Sequence, residues 1–443
     1  MDFIRRLAAV SAVALTSLVL YGPSDAIAQP APQVITLDEA IQLALERNPT
    51  IRQSENSLRS SELGVRQQKL QLLPRLNLTS GTGVPYLSVG GQTNPSVTAG
   101  LSASMQIGNI YSTLANMRQS RINEEISTEN LDRSRQTMIF NVMSSYLSLV
   151  ETQDQIEVQD RNLATVEEQL RQIQERVEVG GRPISDLYQQ QASVASARLS
   201  ALQTERSVIV ATMNLIRLLQ LDPNGEYEFV RPELGPLSTD IDSLSLETLS
   251  SRAFAQRPDL RASELSVASA EESLKIAKAS RWPSLSVSLG YNSGNFNSNA
   301  NGAFLDQWDR GRRGNLSFNV SVPILNFTYG ISKERAEISL ENARMNLENA
   351  RQGVAIEVRT AYLDLQMAEE QLAVAQAQME AAELSRRMAE QRYEAGAATL
   401  LEQVQAQLSH QQASLALVNA EYELVFQSRL MAYYLGGLEA NPD

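Results

Sequence analysis

Apolar residues along this chain recur at two spacings, one helical and one of two residues. Leu149, Ile156, Leu163, Val166, Leu170, Ile173 and Val177 form a helical stripe, and Leu187, Val194, Ala197, Ala201, Val208, Ala211, Leu215 and Leu218 form the next. The pattern returns at Leu340, Ala343, Leu347, Ala350, Val354, Val358, Ala361, Leu365, Ala368, Leu372, Ala375, Met379 and Ala382, and then at Leu401, Val404, Leu408, Leu415, Val418, Tyr422 and Val425. Such stripes predict long helices packed with knobs in holes. The step Ala350, Val354, Val358 is a stutter that locally unwinds a left-handed coil. Only the joins Glu178–Pro183 and Glu394–Ala398 separate the members of each pair. Short joins make antiparallel neighbours, and Gly180 and Gly396 suit the left-handed residue that closes a helix.

Period two governs four other stretches. Leu76 and Leu78 alternate with Asn77 and Thr79, and Val97 to Ile107 alternates throughout. Leu285, Val287, Leu289 and Tyr291 alternate with Ser and Gly, and Leu316, Phe318, Val320 and Val322 with Ser and Asn. These are half-buried strands, predicted at about 75–84, 97–108, 284–292 and 314–323. Their polar face carries Ser, Asn, Thr and Gly with almost no charge. A soluble sandwich gives the same alternation. An export leader, polar loops at Pro85–Pro95 and Ser293–Arg313, and lengths near those of membrane strands favour a membrane barrel. Four strands cannot close a barrel, and lipid does not tolerate an open edge. The barrel must then be shared between copies of the chain.

The two sets of elements are an internal repeat. Leu37, Ala44, Pro49 and Pro74 return as Leu246, Ala253, Pro258 and Pro283, 209 residues later. Further along, Tyr146, Gly180 and Asp186 return as Tyr362, Gly396 and Glu402, at an offset of 216. The repeats span 33–222 and 245–437, with hairpins over about 112–221 and 331–435. The linker 223–244 is rich in Pro, Gly and acids, as a boundary should be.

Arg5 and Arg6, the apolar run Leu7–Tyr21 and Ala26-Ile27-Ala28 read as a secretion signal over 1–28, cleaved between Ala28 and Gln29. The chain has 443 residues, no Cys, one His and a net charge of −13. That excludes thiol chemistry, Cys-held zinc and a uniform basic footprint for nucleic acid. No phosphate loop, HExxH or Gly-x-Ser-x-Gly elbow occurs, so neither enzyme activity nor a cofactor or metal site is expected. His410 reads as a lone surface residue, and the scattered Met residues as core filler.

Ile35 to Pro49 resembles the opening signature of TolC-like outer-membrane efflux proteins. Leu73-Pro74-Arg75-Leu76 and Trp282-Pro283-Ser284-Leu285 match the proline before each of that family's strand pairs, and Tyr393 to Glu402 resembles its tip motif. The resemblance implies an α+β membrane protein and a homotrimer. Each chain would give four strands to a twelve-stranded barrel in outer-membrane lipid, and its hairpins to a coiled-coil barrel forming a periplasmic tunnel. The tips Gly180, Gly181, Arg182, Pro183, Gly396, Ala397, Ala398 and Thr399 would meet a periplasmic adaptor and, beyond it, an inner-membrane pump. Glu402 and Gln405 fall where the family's acidic ring has two Asp, and Tyr393 and Asp186 match positions that link the hairpins when the pore is closed. The chain departs from the family's model member at Ala398, where that protein has Arg, and Gln29 stands where many relatives carry a lipid-bearing Cys.

The sequence thus points to a passive exit duct for efflux or type I secretion. Its rival is a soluble periplasmic coiled-coil adaptor or scaffold, which explains the helices but not four strands placed alike in two repeats. Asp186 and Glu402 each lie in the first turn of a helix, where an acid also serves as a simple cap. In a symmetric trimer the same acid forms a ring that selects cations.

Overall fold

The computed structural model describes residues 33–83, 96–231, 245–293, 296–297, 306–307 and 312–436. The expected leader with its Ala28/Gln29 cleavage site, the loop 85–95, most of the loop 293–313 and the linker from 232 onward lie outside the described residues.

In the first repeat, a short strand β1 (Gln33–Ile35) leads into α1 (Leu37–Arg47) and α2 (Pro49–Leu70). Thr36 and Glu39 form a capping box at the start of α1. Asn48 caps α2, with Pro49 at its first position. Strands β2 (Arg75–Gly83) and β3 (Ser96–Gly108) follow, then α3 (Ile110–Glu178), α4 (Ile184–Leu219) and β4 (Tyr227–Phe229). The second repeat holds α5 (Leu246–Gln256), α6 (Pro258–Ala279), β5 (Ser284–Asn292), β6 (Phe296–Asn297), β7 (Arg313–Ser321), α7 (Thr328–Glu394) and α8 (Leu400–Tyr434). At 69 residues, α3 runs roughly 100 Å.

Within each repeat the long helices pair, α3 with α4 and α7 with α8. The expected stripes supply these seams. Val166, Ile173, Ala197, Ala201 and Leu215 are buried in the first hairpin, and Leu340, Val354, Val358, Ala361, Leu365, Ala368 and Ala375 in the second. The repeats meet through α3, which packs on α6 and on α8. The short helix α2 lies on α3 as α6 lies on α7, so the helices run α2, α3, α6, α7 across one end of the chain.

The strands form an antiparallel sheet in the order β2-β3-β5-β7, with β6 beside β3. The β3–β5 contact joins the repeats and carries a bulge between Gln106 and Gly108. One face is apolar and uncovered, with Leu78 79% and Phe318 69% exposed beside Leu76, Leu289, Leu316 and Val320. Strands β2 and β7 each leave one edge unpaired among the described residues.

Among the described residues, three short strands fall where the sequence predicts none: β1, β4 inside the expected linker, and β6 inside the loop expected at Ser293–Arg313, none long enough to show a period. Strands β1 and β4 pair in parallel, and the buried Tyr146 hydroxyl donates to the carbonyls of Ile35 and Val230 at their ends. Tyr362, its repeat mate, instead accepts from Gln366. The symmetry of the chain is therefore broken at its waist.

Candidate functional site at the hairpin tips

Both hairpins turn by the same device. The Gly180 N–H donates to Val177 O at 3.0 Å and the Gly181 N–H to Arg176 O at 2.7 Å. At the other tip the Gly396 N–H donates to Tyr393 O at 3.0 Å and the Ala397 N–H to Arg392 O at 2.7 Å. This is the Schellman closure. Gly180 and Gly396 have φ of 73° and 72°, which L side chains rarely adopt. The turns then diverge. Thr399 caps α8 by accepting from the Glu402 N–H at 3.3 Å, whereas Pro183 before α4 offers no side-chain cap.

The tips touch through an apolar cluster of Ile173, Tyr393 and Leu400, with Val177, Leu187, Ala398 and Val404 around it. Tyr393 is 4% exposed. Arg182 reaches across from the first hairpin. Its guanidinium lies 4.1 Å above the Tyr393 ring centroid, and its Nη2 donates to the Tyr393 carbonyl at 2.9 Å. The Tyr393 hydroxyl is buried and has no hydrogen-bond partner among the described residues. Burial raises the pKa of this phenol, with Arg182 opposing and Asp186 adding to the shift.

In this structure the two residues expected to link the hairpins are not bonded to each other. Asp186 stands near enough for its charge to act on Tyr393, but its carboxylate accepts from Ser185 Oγ at 3.5 Å rather than from the phenol. Arg182, expected at the adaptor-facing tip, makes the connection to Tyr393. Arg182 lies 216 residues before Ala398, so the cation has moved to the matching place on the other hairpin. That offset was the signal that could have found it.

Glu402 is exposed and sits 3.5 Å from Arg392, whose Nη2 also donates to Ala397 O at 3.1 Å. Gln405 is exposed one turn deeper. On the expected apolar spine of this helix Val404, Val418, Tyr422 and Val425 pack inward, but Leu401 and Leu408 do not. Leu401 and Leu408 are 57% and 50% exposed, and the buried face is Leu400, Gln403 and Gln407. The cause is chemical. Toward the tips the contact of α8 with α3 includes amide pairs, with Gln407 donating to Asn162, Gln411 to Gln159 and Gln155 to Asn419, at 2.7–2.9 Å. His410 also differs from expectation. It is half-buried beside a cavity of about 360 Å³ shared by α3, α7 and α8, and burial, followed by Arg386, lowers its pKa.

A family model described as outer membrane efflux protein matches residues 40–220 and 249–437, both repeats. The chain belongs to that family. The TolC outer membrane protein of Vibrio cholerae is 26% identical over 242 residues, which is 54% of this chain and 53% of that protein. The toluene efflux pump outer membrane protein TtgF of Pseudomonas putida is 27% identical over 261 residues, 56% of this chain and 52% of that protein. The chain spans about half the length of the curated relatives it matches. Among solved structures, CusC matches with a TM-score of 0.80 and 20% identity, covering 90% of this chain and 92% of that one. The CmeC outer membrane channel of Campylobacter jejuni matches with 0.79 and 19%, covering 92% and 87%. This outer membrane efflux protein therefore has the fold of those channels.

Proposed function

We propose that this chain is the passive exit duct of a tripartite efflux or type I secretion system, assembled as a homotrimer. Three four-stranded sheets close one twelve-stranded barrel in the outer membrane, and the hairpins form a tunnel through the periplasm. The tips meet a periplasmic adaptor, and an inner-membrane pump supplies the energy.

The sheet carries this reading. Its apolar face is uncovered and its two edges are open, a combination that water penalises and that lipid plus barrel closure resolves. The open edges of β7 and β2 are also the repeat mates of edges that β3 and β5 already pair. A soluble adaptor or scaffold has no use for such a sheet, and the family match speaks against it.

The purified trimer in a planar bilayer is expected to pass ions without nucleotide and to favour cations. Glu402 contributes one carboxylate per copy at the tunnel mouth, partly offset by Arg392 at 3.5 Å, and a ring of such carboxylates concentrates cations. Repulsion within the ring is weak, about 1 kcal/mol per pair in water even at 4 Å, so selectivity rather than opening is the property it controls. Glu402→Gln should lower the reversal potential in a salt gradient and weaken block by divalent cations. An unchanged reversal potential would leave Glu402 as no more than part of the α8 cap.

A further inference from the structure

The internal repeat supplies a template for the contact between copies. Within the chain α3 packs on α6. Their repeat mates are α7 and α2, which lie at opposite ends of the helix row. In a closed ring α7 of one copy therefore meets α2 of the next. The register follows from the observed pair. Ser269 Oγ donates to Asn123 Oδ1 at 3.0 Å, and Gln119 Nε2 donates to Ser273 Oγ. Shifted by the repeat offsets, these contacts become Ser60 against Ser339 and Gly64 against Arg335.

A second observation gives the same register. Arg52, Arg59 and Arg66 follow each other at seven-residue steps on α2, and so do Glu334, Glu341 and Glu348 on α7. All six are exposed, and none has an ion-pair partner among the described residues. The seven-residue step keeps each set on one helix face. Beside the arginines lie Leu63 and Leu70, and beside the acids lie Ile331, Ile338 and Met345, all of them 50–55% exposed. Helix α2 leads into β2 and α7 leaves β7, so the two run antiparallel. In that arrangement Arg66 comes level with Glu334, Arg59 with Glu341 and Arg52 with Glu348. The sums of paired residue numbers are 400 for the charge pairing and 399 for the template, one residue apart. The template also continues toward the tips. Tyr422 donates to Asp154 where α8 meets α3, and the repeat mates of these residues are Arg206 on α4 and Glu370 on α7, both exposed and unpaired among the described residues.

We propose that a second copy of this chain covers the exposed face of α2, with its α7 in this register, and that the Arg52–Arg59–Arg66 and Glu348–Glu341–Glu334 stripes select it. The proposal rests on the trimeric reading above and adds the register to it. Like charges brought together across such a seam oppose assembly strongly, and opposite charges fix the register.

The absence of cysteine makes the test direct. Full-length Ser60→Cys/Ser339→Cys protein, oxidised in its membrane, should run as crosslinked oligomers on a non-reducing gel, and neither single variant should. Ser60→Cys/Ser332→Cys, two helical turns out of register, should crosslink at least about tenfold less. Arg59→Glu/Arg66→Glu should lower the trimer fraction in detergent about tenfold, and adding Glu334→Arg/Glu341→Arg should restore it. A trimer that crosslinks at 60/332 instead of 60/339, or at neither, overturns the register and leaves the duct reading standing. Wild-type protein that is monomeric in detergent removes both.

Discussion

Replacing Arg182 by alanine is expected to shift each copy of the trimer about tenfold from closed toward open, read as a rise in the conductance of single purified channels. The guanidinium is the polar connection between the two tips, through one charge-assisted hydrogen bond and one contact with the Tyr393 ring. A hydrogen bond to a charged group contributes about 1.5–3 kcal/mol and an exposed cation–π contact about 0.5–1 kcal/mol. Arg182 is only half-buried, so the hydrogen bond counts at its lower end, and that bond alone, about 1.5 kcal/mol, is close to tenfold in an equilibrium. Tyr393→Phe provides the contrast. Its hydroxyl is buried without a partner among the described residues, so removing it costs no bond and should leave conductance near that of the wild type. Asp186→Asn should also have little effect. If Tyr393→Phe opened the channel and Arg182→Ala did not, the latch would be the phenol after all.

Gly396→Val is expected to abolish export while trimers still reach the membrane. The position sits at φ 72° with open space where a Cβ would project, so the obstacle is the backbone and not a clash. A β-branched residue held in the left-handed region costs on the order of 1–3 kcal/mol. The chain can avoid that strain by unwinding the end of α7, which would displace Tyr393 and Thr399 on either side of the turn. Gly396→Ala, with less strain, should export at an intermediate level. The check is export in cells, with trimer abundance measured in isolated outer membranes. Full export by the valine variant would show that the turn geometry does not matter to docking.

Much of the architecture is legible in the sequence because one physical rule governs each part. The hairpins follow from apolar stripes and two glycines, and the glycines adopt the left-handed backbone expected of them. The strands follow from strict alternation, and their apolar residues line one exposed face. Where two rules compete, the pattern misleads. Gln159, Asn162, Gln190, Gln403 and Gln407 are buried, yet a search for apolar period reads them as a solvated face. For that reason the apolar pattern puts Leu401 and Leu408 on the α8 spine, each one position from the buried Leu400 and Gln407. Buried amides of this kind become visible only when the partner helix is known, since each needs an acceptor or donor across the seam. The contact of Arg182 with Tyr393 is hidden in the sequence for a related reason. A cation in a turn looks like a surface residue until the tyrosine beneath it is placed. Strands β1 and β4 escaped notice because three residues carry no period.

The mass of the detergent-solubilised particle tests the central claim most directly. In the proposed duct, other copies close the barrel over a sheet that has two open edges among the described residues and an uncovered apolar face. The expected particle leaves the membrane only with detergent and contains three chains by light scattering. A monodisperse monomer, soluble without detergent and with its full β content by circular dichroism, would contradict it.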